Sequence, residues 1–119
     1  MSKHIRIALF CLVLGCLLML TACTLAKKAS LGEEFTMQEG QIVKINGESL
    51  TLELHTIGRE WTEDYETPFA ELTLTTKGQE QEITLYMGDS WKIGGHEVAM
   101  TRSDPFGHSP ECDLIVTRP

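Results

Sequence analysis

QIVKINGESLTLELHTI, Gln41 to Ile57, is the stretch that decides the fold class. Leu50, Leu52 and Leu54 alternate with Thr51, Glu53 and His55. A period of two buries one side of a strand and wets the other, whereas a helix would place its apolar residues three and four apart. Gln41 to Ile45 is a second strand-like run, and the intervening Asn46-Gly47 pair favours a type I′ hairpin turn. The stretch predicts a β-hairpin with a leucine-lined core face.

The same alternation continues downstream. In FAELTLTTKGQEQEITLYM, Ala70, Leu72 and Leu74 share one face, Lys77-Gly78 suits a turn, and Ile83, Leu85 and Met87 resume the inward set. The opposite face is Glu and Thr, as a wet sheet face should be. KIGGHEVAMTR predicts a further strand around Glu97 to Thr101, with Gly94-Gly95 as a turn or bulge. CDLIVTR predicts a last one, with either Leu114 and Val116 or Ile115 inward. After residue 32 no segment has a helical period and no repeat is visible. About six to eight short strands in under 100 residues predict an all-β chain, a small antiparallel β-sandwich or barrel.

Upstream, the pattern changes. MSKHIR carries Lys3 and Arg6 and precedes the apolar run IALFCLVLGCLLML, Ile7 to Leu20. Fourteen residues fall short of the about 20 that cross a bilayer and match the about 7 to 15 of a secretory signal core. The run closes on Leu20-Thr21-Ala22-Cys23, which resembles the lipobox of bacterial lipoproteins: an aliphatic residue, two small ones and a cysteine. The resemblance implies cleavage before Cys23 and a covalent lipid on its sulfur, with no other cofactor. Residues 1–22 are then a signal peptide, residues 23–32 the lipidated cysteine and a flexible tether, and residues 33–119 the β-sandwich domain. Thr24, rather than Asp, follows the cysteine. In a cell with two membranes this favours the outer one, so the expected location is the bacterial cell envelope.

Loss of Lys3 and Arg6 leaves eight basic residues against 17 acidic, a formal charge of −9. Such a charge disfavours nucleic acid as a partner. Cys11 and Cys16 depart with the signal and Cys23 takes the lipid, so Cys112 is the one thiol left in the domain. Without an internal disulfide the fold must rest on packing.

Three groups of residues could carry chemistry. His96, His108 and Cys112 are the donor types that copper or zinc prefers, although their spacing is not that of a tight ligand pair. Cys112 shares phase with Leu114 and Val116, so it is either a buried small apolar side chain or a reactive thiol. GDSW has neither the glycine frame nor a neighbouring histidine that a serine nucleophile needs, so we expect no catalytic residue.

The third group is GREWTEDYETPF, Gly58 to Phe69, read as a long loop between the two hairpins. Trp61, Tyr65 and Phe69 stand among Glu60, Glu63, Asp64 and Glu66. Aromatic side chains in an acidic surround suit a basic protein or a cation held against a ring. The competing reading folds Trp61 and Phe69 back over the sandwich edge. Trp61, Glu63, Asp64, Tyr65 and Glu66 form the expected partner-binding set.

The layout, with its Gly40-Gln41 entry to a hairpin and its apolar last strand, resembles small secreted bacterial β-sandwich lipoproteins. Lysozyme-inhibitor lipoproteins are similar in size, anchor and all-β character but carry a cysteine pair that this chain lacks. The resemblance implies a membrane-anchored, non-catalytic binding or accessory module of the envelope. Inhibition of an envelope hydrolase, or periplasmic copper or zinc binding, are the alternatives.

Overall fold

A computed structural model describes residues 27–119; Cys23 and the expected cleavage site lie outside them. Nine strands follow in order: β1 (Lys27–Ala29), β2 (Phe35–Gln38), β3 (Ile42–Ile45), β4 (Leu50–Trp61), β5 (Glu66–Thr76), β6 (Gln79–Tyr86), β7 (Ser90–Ile93), β8 (His96–Asp104) and β9 (Glu111–Thr117). They form a five-stranded sheet ordered β1-β3-β4-β5-β6 and a four-stranded sheet ordered β2-β9-β8-β7. All pairings are antiparallel except β1 with β3. The fold is a small β-sandwich, and no helix occurs among the described residues.

The alternating residues build the core. Leu50, Leu52 and Leu54 of β4 face inward with Ala70, Leu72 and Leu74 of β5 and with Ile83 and Leu85 of β6. The second sheet contributes Met37, Val98, Met100, Cys112, Leu114 and Val116. The last strand therefore takes the phase that buries Cys112, Leu114 and Val116. The sheet edges meet at both corners: Lys27 Nζ donates to the Thr36 carbonyl at 2.9 Å, and Trp91 Nε1 to Gln81 Oε1 at 3.1 Å. Such cross-links cover edge strands that would otherwise invite pairing with other chains.

Three features correct the sequence reading. The expected tether contains β1, so the sandwich includes Lys27–Ala29, ahead of the expected start at residue 33. These residues bury only Ala29 and are held by backbone pairing to β3, including Asn46 N–H donating to the Ala29 carbonyl at 2.7 Å. No apolar period marks such a strand. Asn46-Gly47 does not form a type I′ turn: Gly47 has φ +72° while Asn46 stays in the ordinary region, and four residues join β3 to β4. The type I′ turns are Lys77-Gly78 (φ +43° and +79°) and Gly94-Gly95 (φ +53° and +79°), each flanked by a directly paired residue on either side.

The third correction is the long loop, which is mostly strand. Leu54 pairs with Leu72 and Thr56 with Glu71, so His55 is an extra residue in a β-bulge. The bulge shifts the phase by one residue. Ile57 turns inward opposite Ala70, and pairing runs on to Trp61 opposite Glu66. Gly58 to Phe69 is thus the distal half of one hairpin; past Phe69, which still pairs with Tyr86, it is a two-stranded ribbon extending beyond β3 and β6.

On the outer face of the second sheet, Arg102 grips Asp113 through Nε at 2.8 Å and Nη2 at 3.2 Å and reaches Glu111 at 2.9 Å. The Thr36 hydroxyl donates to Asp113 Oδ1 at 2.6 Å. The guanidinium and, more weakly, the hydroxyl hold the Asp113 carboxyl below the usual range, against the opposing effect of burial. A lowered folded-state pKa contributes stability above the unfolded value of about 4 and loses it as pH falls through the folded one. Asp113→Asn should therefore cost roughly 1–3 kcal/mol at pH 7. In urea melts the gap between wild type and variant should narrow on acidification below about pH 4; a gap unchanged to the acid limit would refute the coupling.

Candidate functional site

The ribbon end of the sandwich gathers the three most exposed aromatic residues, Trp61, Tyr65 and Phe106. Arg59 and Trp61 lie on the face that continues the inward side of β4, because Ile57 opposite Ala70 is inward and alternate residues follow it. Past the end of the core nothing buries them fully, and Trp61 remains 75% exposed. Phe106, in the β8–β9 connection, comes up beneath the ribbon, and the Arg59 guanidinium sits 3.7 Å from its ring centroid. Arg59 also ion-pairs with Glu66 across the hairpin. The guanidinium therefore ties the ribbon to the opposite sheet's loop and neutralises one tip carboxylate.

On the other side of the ribbon, a Cβ at Gly58 would lie 2.7 Å from Phe69 Cζ. The glycine lets the Phe69 ring lie against β4, and on its other side the ring faces Tyr86 of β6, with centroids 6.1 Å apart and planes tilted by 56°. The Glu60 carboxylate beside the Tyr86 hydroxyl raises the phenol pKa. Aromatic packing thus stiffens the base of the ribbon. At the tip, Thr62 and Tyr65 exchange backbone hydrogen bonds of 2.8 and 3.3 Å around Glu63-Asp64.

The expected set divides accordingly. Trp61, Glu63, Asp64 and Tyr65 are exposed, Tyr65 by 74%. Neither Glu63 nor Asp64 enters an ion pair among the described residues. Glu66 is half-buried and committed to Arg59. Trp61 does not fold back over the edge, and Phe69 packs on the outer face of the sheet, against Gly58 and Tyr86, and not over the core. Sequence reasoning missed Arg59 and Phe106. The available signal was Phe106 in a Pro- and Gly-rich connection, where no strand face exists to bury a ring.

The candidate metal residues are not brought together. His96 begins β8 opposite Ile93, while Cys112 pairs with Ser103. Seven strand residues separate the two positions, roughly 20 Å or more. His108 stands on the exposed β8–β9 connection. Cys112 is fully buried, and burial first, then the Asp113 charge, pushes its thiol up to about 12. A thiol of that kind is a poor nucleophile at neutral pH. Among the described residues no three His, Cys, Asp or Glu side chains converge in a way that could hold a metal ion. His55 is the exposed bulge residue and bonds Thr73 Oγ1 through Nε2.

The site and fold define a two-sheet β-sandwich with an aromatic, acidic ribbon projecting from one end. Compared with protein-family models, curated proteins and solved structures, the chain finds no match in any of the three.

Proposed function

We propose that this protein is a lipid-anchored, non-catalytic binding module of the bacterial envelope whose contact surface is the ribbon end. The observation that carries the proposal is the exposure of Trp61, Tyr65 and Phe106, each by about three-quarters, beside the carboxylates of Glu63 and Asp64, which enter no ion pair among the described residues. Large rings left in water supply the anchors of interfaces, and the surrounding charges choose the partner. The chemistry fits a basic envelope protein. Membrane attachment through Cys23 would confine the search to the bilayer surface, in the outer membrane where the cell has two. The net charge opposes nucleic acid. A second reading, inhibition of an envelope hydrolase with a basic cleft, draws support from the ribbon's projection past the sheets.

The test immobilises the full chain and measures retention of envelope proteins over a salt series. Trp61→Ala should weaken a retained partner by roughly thirtyfold, the loss of an interface anchor worth about 2 kcal/mol. Glu63→Gln with Asp64→Asn should instead release it at lower salt, since exposed charges act through steering that salt screens. Equal retention by both variants at every salt concentration would place the contact elsewhere.

A further inference from the structure

At the end of the sandwich opposite the ribbon, three turns and the last residues of the chain converge. The β3–β4, Lys77-Gly78 and Gly94-Gly95 turns enclose, with Arg118, a cleft of about 300 Å³. Its charged and polar walls are Glu48, Ser49, Lys77, His96 and Arg118. We propose that this cleft binds a small oxyanion, a carboxylate or a phosphate, between the Lys77 ammonium, the Arg118 guanidinium and the ring of His96.

His96 is the first support. It is 95% buried, yet neither ring nitrogen has a hydrogen-bond partner among the described residues. Native interiors seldom leave such groups unsatisfied, and the exceptions mark places where a ligand or solvent completes the shell. Nε2 lies 3.4 Å from Glu48 Oε2 but outside hydrogen-bonding geometry. Glu48 is already held by Arg118. Ser49 shares its hydroxyl with Thr76 at 3.2 Å. The imidazole therefore lines the cleft with Nδ1 unpartnered and with Nε2 in a long contact to a Glu48 carboxylate that Arg118 already shares.

Charge is the second support. Lys77 and Arg118 bring two permanent cations against the one carboxylate of Glu48, in a chain whose formal charge is −7. Lys77 enters no ion pair among the described residues. It is also the one non-glycine residue among them with positive φ, at +43° in a turn position that glycine or asparagine would fill without strain. A cation in the same cleft would find only Glu48 and His96 as donors and would face both basic side chains. An oxyanion meets the guanidinium that Glu48 engages through one nitrogen, the point charge of Lys77 and the edge of an imidazole, which is the pattern that suits it.

The experiment follows the ring resonances of the four histidines in the full chain, held in detergent, while inorganic phosphate and then acetate are added at constant ionic strength. His96 should shift saturably and the other three should not. Saturation by one anion alone assigns the site to that class, and saturation by both assigns it to oxyanions in general. Lys77→Gly should weaken binding by about tenfold through loss of one charged contact. The same change should raise the thermal midpoint, because glycine relieves the left-handed backbone. Absence of any saturable His96 shift, or undiminished binding by a folded Lys77→Gly protein, would overturn the proposal.

Discussion

Replacement of Cys23 by serine is expected to leave the chain uncut and unacylated. On the lipoprotein reading, the thiolate is the nucleophile that accepts the lipid, and cleavage before residue 23 follows that acylation. A serine hydroxyl lacks the thiol's nucleophilicity at neutral pH. Intact-mass measurement of membrane-extracted wild type should show loss of residues 1–22 together with the mass of acyl groups. The variant should retain Met1 and gain no acyl mass. The effect on anchoring is large because each buried methylene contributes about 0.8 kcal/mol. One fourteen-carbon chain gives an association constant on the order of 10⁴ M⁻¹, and additional chains raise it steeply. Wild type that keeps Met1, or a serine variant processed like wild type, would refute the anchor and with it the membrane confinement proposed above.

The sandwich was legible wherever one face of a strand is dry and the other wet. Leu50 to Leu54, Ala70 to Leu74 and Ile83 to Leu85 all point where their alternation says they should. What the alternation could not show is where it is interrupted. A bulge at His55 shifts the phase of β4 so that Ile57 rather than Thr56 is buried, and a second between Met100 and Arg102 does the same for β8. Read at face value, the break after Leu54 looks like the end of a strand, and the ribbon beyond it like a loop. The Asn46-Gly47 misreading has a different origin. Local preference for a tight turn yields to the Asn46 amide's bond to β1, a partner invisible to local pattern.

Composition marked the ribbon as a candidate site but could not separate its exposed residues from its structural ones. Trp61 and Glu66 are opposite one another in the ladder, yet one is solvent-facing and the other closed on Arg59. Phe69 packs down because residue 58 is a glycine, a dependence that crosses from one strand to the next. The opposite cleft shows the same limit more strongly. Glu48, Lys77, His96 and Arg118 come from four separate segments, so their proximity is a product of topology alone.

Truncation of Leu72 to alanine is expected to cost about 3 kcal/mol, as large-to-small changes at fully buried leucines do. Leu72 is 1% exposed and central, paired with Leu54 on one side and Ile83 on the other, both on the same inward face. The cavity has little freedom to collapse, because strands on either side fix its walls. For a domain of this size each kcal/mol moves the midpoint by about 4–8 °C, so a fall of roughly 12–24 °C should appear in thermal melts. Ile42→Ala serves as the contrast. Ile42 begins β3, is 42% exposed, and stands opposite Glu53 on the wet side of the sheet; its truncation should cost only about 0.5 kcal/mol. The two positions carry equally apolar side chains of similar size, so the difference between them measures register and not composition. A one-residue slip would send every inward side chain of a strand to the other face. Comparable losses at Leu72 and Ile42, with unchanged denaturant slopes, would mean that β3 or β5 pairs in another register than the one described.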